Sequence, residues 1–475
     1  MRGGGGRAHR RGWGNSLARV IAVAGLVVSL ALLASAAPGA TNGNDAPGNP
    51  ASFRAISVGG SHTCAILANG SVKCWGWNAF GQLGYGDRVS RGDGPNEMGA
   101  NLPTVDLGTG RTAVAIAAGQ WHTCALLDNG TVKCWGYNFA GELGLGGTAD
   151  RGDGPGEMGN NLPTVNLGTG RTAVAISAGQ THNCAILDDR SLKCWGGGIG
   201  GQLGQGNLVN RGDGSNEMGN NLPPIRLGTG RTVAAVSAGS LFTCAILDNR
   251  TVKCWGYNIF GQLGYGDTSN RGGGGISQMG DNLPTVALGT ARTALAISTG
   301  AAHTCALLDN RTVKCWGAGS DGALGQGNGT TRGDGPGEMG DNLPAVNLGT
   351  GRTARSVSAG SGYTCARLDN ATIKCWGSNT RGQLGLGTTS ARGDGPGEMG
   401  SNLPTVRLGS GRSVVALAAG TGHTCARLDN ASLKCWGASG QGELGYGDTA
   451  TRGDGPGEMG DNLPPVRLGG AVRLA

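Results

Sequence analysis

The tripeptide Cys-Trp-Gly occurs seven times, beginning at Cys74, Cys134, Cys194, Cys254, Cys315, Cys375 and Cys435, at intervals of 60, 60, 60, 61, 60 and 60 residues. So constant a period means one supersecondary unit used over and over, in which no unit buries its apolar surface alone. A typical unit reads LPTVNLGTGRTAVAISAG, then HTCALLDNGTVKCWGYN, then GQLGYGD, then RGDGPGEMGDN. Without the repeat, a chain of 475 residues would suggest about three domains. Its 97 glycines and 17 prolines would also approach the composition of a disordered chain. Because these residues recur at fixed places in every unit, they read as turns.

Each unit carries four strand-like runs, LPTVNL, RTAVAIS, HTCALL and TVKCWG, separated by Gly, Asn and Asp. The segments CALL and AVAI are apolar on both strand faces, which a sheet covered on one side would not need. Burial of both faces fits blades stacked around an axis. The expected fold is all-β: a seven-bladed β-propeller over residues 54–475. The first hairpin is preceded only by RAISVGG (54–60) and lacks the LPxVxLG run found before every later hairpin. That run recurs at 463–469 with no hairpin after it. This predicts closure by pairing of the N- and C-terminal strands within one blade, which removes the free edges of an open solenoid.

All 14 cysteines lie in the units, two in each: Cys64/Cys74, Cys124/Cys134, Cys184/Cys194, Cys244/Cys254, Cys305/Cys315, Cys365/Cys375 and Cys425/Cys435. In the second unit the hairpin turn is Asp128-Asn129-Gly130. Folding about Asn129 sets Cys124 opposite Cys134, within the separation a disulfide spans. Gly130 suits the positive φ such a turn needs, whereas Arg250 and other later counterparts leave the register less fixed. Closing so short a loop contributes at most about 3 kcal/mol per bridge. Cysteines ten apart without CxxC pairs make a poor zinc pattern, and seven equivalent catalytic thiols would be redundant. Neither a metal nor a cofactor is expected.

Residues 1–36 read as a secretory signal peptide: a head with Arg2, Arg7, Arg10, Arg11 and Arg19, an apolar run over 20–33, then Ala34-Ser35-Ala36. The apolar run is short for a membrane span; a retained N-terminal anchor is the alternative. Residues 37–53 read as a flexible leader. The formal charge of +7 falls to about +2 once the five arginines of the head are removed. The basic balance is therefore no argument for nucleic acid or an anionic membrane. With paired cysteines, the expectation is a monomer that is secreted, periplasmic or in the cell envelope, with no membrane span after signal removal.

The segment HTCALLDNGTVKCWGYNFAGELGLG (122–146) resembles the repeat of the RCC1 family, named for the regulator of chromosome condensation. The markers are Gly before His-Thr, an apolar strand, a turn, then Trp-Gly-x-Asn and Gly-x-Leu-Gly-x-Gly. Units three, five and seven depart from it, with Gly198, Gly319 and Ser439 in place of the Asn. The resemblance covers residue 54 to about 475 and implies one unit per blade. The founding member is a nucleotide-exchange factor for a nuclear small GTPase and also binds chromatin. The family also includes a secreted bacterial β-lactamase inhibitor that binds through one propeller face. No residues here match the exchange activity, and function does not follow from fold.

His62, His122, His182, His303 and His423 share one position per unit, but Phe242 and Tyr363 stand there in units four and six. Since Phe cannot replace a general base, these read as structural. The seven lysines each precede Cys-Trp and read as stems lying on the blade with the amine reaching solvent or a carboxylate. The long loop from Gly144 to Asn161 carries Arg151-Gly152-Asp153 and Glu157. In six copies, Arg-Gly-Asp reads as a turn closed by an Arg–Asp pair more readily than as an adhesion motif. The loop acids could supply calcium oxygens, though the spacing fits no known calcium loop.

The units differ most after Cys-Trp-Gly and just before the histidine position. Units one to four place Trp77, Phe80, Trp121, Tyr137, Phe139, Ile199, Leu241, Tyr257, Ile259 and Phe260 there; the last three place Ala318, Ser320, Ser378, Thr380, Arg381, Ala438 and Ser439. Such an aromatic sector is the candidate partner-binding surface, taking a protein or cell-surface polymer. The alternative is that the rings pack against the long loops. The functional expectation is a non-catalytic binding scaffold, set against guanine-nucleotide exchange as in the founding family member and against an enzyme acting on envelope polysaccharide.

Overall fold

The computed structural model describes residues 53–469. The expected signal peptide (1–36), leader residues 37–52 and residues 470–475 lie outside the described residues. Phe53, assigned above to the leader, instead opens the first strand and is 3% exposed.

Seven three-stranded antiparallel sheets follow one another in sequence order. In the second, an inner strand Ala113–Ala118 pairs with a middle strand His122–Leu127, which pairs with an outer strand Val132–Gly136. Every middle strand from blade one to blade five is buried along its whole length. The seven inner strands line a central channel of about 210 Å³. There, hydroxyls such as that of Ser57 accept the exposed edge N–H of the next blade (Ala118, 2.9 Å).

The hairpin register is the same in all seven blades, with Cys124 opposite Cys134 and Ala125 opposite Lys133 in blade two. Seven disulfides result, with Cα atoms 4.0–4.1 Å apart. The register proves independent of glycine in the turn. Gly130 has φ 78°, and Arg190, Arg250, Arg311, Ala371 and Ala431 adopt φ of 61–65° at the same place. The Asn129 side chain holds the turn by accepting from the Thr131 N–H (3.2 Å) and hydroxyl (2.7 Å).

Two expectations change. The fourth run is not a strand: LPTVNL lies beside the outer strand through one main-chain bond, from Val165 N–H to the Val132 carbonyl at 2.8 Å. Its proline has no N–H for a ladder. The ends of the chain also meet between blades, not as strands of one sheet. Among the described residues, Phe53–Val58 pairs with His62–Leu67, and the Val466 N–H bonds the Leu433 carbonyl of its own unit.

The core sits between blades. One cluster joins Cys124, Leu126, Val132 and Leu143 of blade two to Ile176, Leu187 and Trp195 of blade three. An equivalent cluster joins Leu433, Leu444 and Val466 of blade seven to Ile56 and Trp75 of blade one. Each joint is pinned by polar groups. Trp135 Nε1 and Thr123 Oγ1 both donate to the Gln82 carbonyl of blade one, at 3.0 and 2.9 Å. Across the ends, Trp75 and Thr63 do the same to Glu443, both at 2.9 Å. A Cβ on Gly84 would stand 2.7 Å from Trp135 Nε1, so the Gly-x-Leu-Gly turn needs its second glycine for the indole to reach this carbonyl.

Candidate functional site: an aromatic run on blades one and two

The histidines complete the joints. His62 Nε2 lies 2.8 Å from Thr123 Oγ1, and His423 Nε2 lies 2.8 Å from Thr63 Oγ1. Because each threonine spends its proton on a carbonyl, the imidazole must donate from Nε2. Burial pushes these rings down from 6.5 to about 3 for His62, His182 and His423, and to about 4 for His122 and His303. They are neutral, enclosed and structural. Where Tyr363 replaces histidine, its hydroxyl donates to the His423 carbonyl (2.7 Å) and lies 3.0 Å from Thr424 Oγ1.

The lysines are structural too, but not in the expected way. Lys133 is 6% exposed, and its amine donates to the carbonyls of Leu107 (3.1 Å) and Gly159 (2.6 Å), not to solvent or a carboxylate. Burial lowers its pKa. It thereby clamps the end of the preceding blade to its own long loop.

The Arg-Gly-Asp loops also hold blades together. The Gly152 carbonyl accepts from Gly86 N–H of the preceding blade (2.9 Å), and the Arg151 main chain bridges to Gly136. The arginine does not pair with the aspartate beside it. It meets the glutamate six residues on, as Arg151 with Glu157 (3.4 Å), or an aspartate four residues before, as Arg91 with Asp87 (2.8 Å). Glu157 accepts the N–H groups of Gly152 and Gly154, both at 2.9 Å, which shapes the turn. Among the described residues, no three His, Cys, Asp or Glu side chains are grouped to hold a metal ion.

The loops above the joints carry the variable residues. In each blade the residue after Cys-Trp-Gly bonds back to the residue before the histidine position, as Tyr137 N–H to the Trp121 carbonyl (2.9 Å). This sets the two variable side chains next to each other. On blades one and two the outcome is one continuous aromatic run. Trp77 meets Phe80 (centroids 5.3 Å) and Trp121 (6.3 Å); Phe80 meets Trp121 (5.8 Å) and Tyr137 (4.8 Å). Tyr137 then stacks with Phe139 at 6.4 Å. Four of these rings are half-buried against one another, while Phe139 is 73% exposed.

Tyr257, Ile259 and Phe260 stand apart on blade four, with the two latter exposed; Ile199 is exposed on blade three, and Leu241 is half-buried. The ten exposed large apolar side chains of the described region all fall between Val89 and Ile276.

Beside the run lies a recess of about 480 Å³ lined by Arg88, Tyr137, Phe139, Asp150, Asp153 and Glu157 among others. Arg88 reaches from blade one to Asp153 of blade two at 2.6 Å. Neither Arg88 nor Asp150 stood out in the sequence. The available signal was that Arg88 is the one charged residue at a position where other units have Thr, Leu or Gly. Burial pushes the Asp150 carboxyl up and the Glu142 carboxyl, beneath Ala140, up to about 7. The arrangement offers broad aromatic surface edged by a bridging ion pair, which suits contact more than bond-making.

The signature of the RCC1-like domain matches residues 36–399, and RCC1 repeats match residues 375–427 and 414–443. The chain is similar to the Ultraviolet-B receptor UVR8 of Arabidopsis thaliana, 27% identical over 404 residues, covering 84% of this chain and 79% of that one. It is similar to the E3 ubiquitin-protein ligase HERC2 of Homo sapiens at 26% over 399 residues, which is 83% of this chain and only 7% of that one. Among solved structures, human WBSCR16 superposes with a TM-score of 0.59 at 17% identity, covering 83% of this chain and 95% of that one. Prp20p of Saccharomyces cerevisiae superposes with 0.57 at 21%, covering 78% and 80%. At such identities the structural likeness speaks for fold alone. With its joints repeated seven times and the signature running over most of its length, the chain belongs to the family of RCC1-like domains.

Proposed function

We propose that this propeller is a non-catalytic binding scaffold working outside the cytoplasm, and that the aromatic run of blades one and two is where its partner, a protein or cell-surface polymer, docks. The observation that carries this reading is the uneven set of loop tips: one scaffold, seven times over, yet among the described residues the run of touching rings, Trp77, Phe80, Trp121, Tyr137 and Phe139, is found on blades one and two. Packing does not require them, because Ala318, Ala438 and Gly440 occupy equivalent places on intact blades. Aromatic side chains gathered at one surface are the usual anchors of an interface. Seven disulfides fit an oxidising compartment. The neutral, enclosed histidines argue against general-base chemistry.

The test is affinity capture from native culture with the disulfide-bonded protein, comparing wild type, Trp77→Ala/Tyr137→Ala and Phe139→Ala. Both variants should lose the captured partner by about tenfold or more. Phe139→Ala should keep the wild-type melting temperature, because that ring is mostly in solvent. Undiminished capture by both variants would overturn the reading.

A further inference from the structure

A second surface lies at the opposite end of the channel, where the hairpin turns are. In blades one to five, the fifth residue of the middle strand is Ile or Leu and buried, from Ile66 to Leu307. In blades six and seven it is Arg367 and Arg427, both half-buried. Each reaches across a joint to the first residue of the next inner strand. Arg367 Nε donates to the Val414 carbonyl at 2.6 Å, and Arg427 Nη1 donates to the Phe53 carbonyl at 3.0 Å. The remaining guanidinium donors are left over.

The rim of the channel adds two more. The bulge residue preceding each channel-lining run is Val, Ala or Leu in five blades, but Arg355 in blade six and Arg54 in blade one, both exposed. Arg355 adjoins Ser356, which pairs with Arg367; its charge, after burial, helps to lower the Arg367 pKa. Arg54 follows Phe53, whose carbonyl holds Arg427. Among the described residues, none of the four arginines forms an ion pair. The acids of the nearby turns, Asp369 and Asp429, already face Arg352 (3.5 Å) and Arg412 (3.4 Å).

A half-buried guanidinium with one hydrogen bond and no counter-charge is a cost the fold avoids in five of seven blades. Guanidinium forks match the geometry of oxyanions. We propose that this corner, spanning both joints of blade seven, binds a polyanion, with one oxyanion taken by Arg355 and Arg367 and a second by Arg54 and Arg427. The ligand chemistry is a chain bearing more than one phosphate or carboxylate group.

Isothermal titration of the disulfide-bonded protein at low salt, with inorganic triphosphate in one arm and polygalacturonate in the other, tests this. Wild type should bind at least one probe. Triphosphate binding points to a phosphorylated ligand, polygalacturonate binding to an acidic polymer. Arg367→Leu/Arg427→Leu, which gives both blades the residue type of Leu307, should weaken binding about tenfold or more. So should Arg54→Ala/Arg355→Ala, whose exposed side chains keep the test valid if the first variant fails to fold. Trp77→Ala/Tyr137→Ala should bind the probes as wild type does, which separates this site from the aromatic one. Binding of neither probe to wild type, or equal binding by the folded variants, overturns the proposal.

Discussion

The joints between blades and the loop tips directly above them are built from neighbouring residues, yet they follow opposite rules. At the joints Trp135, Thr123 and the Gln82 carbonyl have counterparts in all seven blades, with Asn183 the one stand-in for the threonine. At the tips, two residues beyond each tryptophan, the side chains run from Trp77 and Tyr137 down to Gly197, Ala318 and Ala438. The contrast teaches that closure of the ring constrains the buried donor–acceptor geometry completely and leaves the loop surface free to specialise.

The contrast breaks most easily at the tryptophan. Trp316, fully buried, should cost about 3–5 kcal/mol when replaced by alanine, read as a fall in the denaturant midpoint. A loss below about 1 kcal/mol would mean that the joint is not what holds the blades.

The histidines give a smaller, pH-dependent effect. Their folded pKa values of about 3–4 lie below the ordinary 6.5, so the unfolded chain takes up protons first as pH falls. Their contribution is intact above about pH 6.5 and is lost on acidification toward pH 4. His303→Phe, which copies Phe242, should flatten the acid slope by about 1.4 kcal/mol per pH unit. An unchanged slope between pH 6 and 4.5, measured by urea titration at each pH, would place the acid sensitivity elsewhere. Smallest of all, Phe139→Ala at the tip should shift stability by no more than about 0.5 kcal/mol; a larger shift would make the tip part of the frame.

The period of the sequence already contained the blade count and the cysteine register, which depends on residues within one hairpin, and it showed the histidines to be structural because Phe242 and Tyr363 take their place. What escaped it depends on contacts made outside the hairpin. The lysine amines look local but bond carbonyls 26 residues off on either side. The arginines of Arg-Gly-Asp pass over the adjacent acid for one that the turn presents better. The fourth run carries strand-like residues but is placed by a single bond beside a proline. The aromatic residues were visible as variable positions, but only the bond from Tyr137 to Trp121 shows why they line up into one run. Arg367 and Arg427 were legible as CARL where other units read CALL or CAIL, a difference that gains meaning once both are seen to reach across a joint.

Because the final joint is chemically the same as the other six, the indole of Trp75 waits for a carbonyl 368 residues later in the chain. A chain made from its amino end would hold one uncovered blade flank from the first unit until the seventh arrives. Such an assembly is apt to mature late and all at once, so truncation even near the carboxyl end should leave two sticky flanks where the whole ring has none.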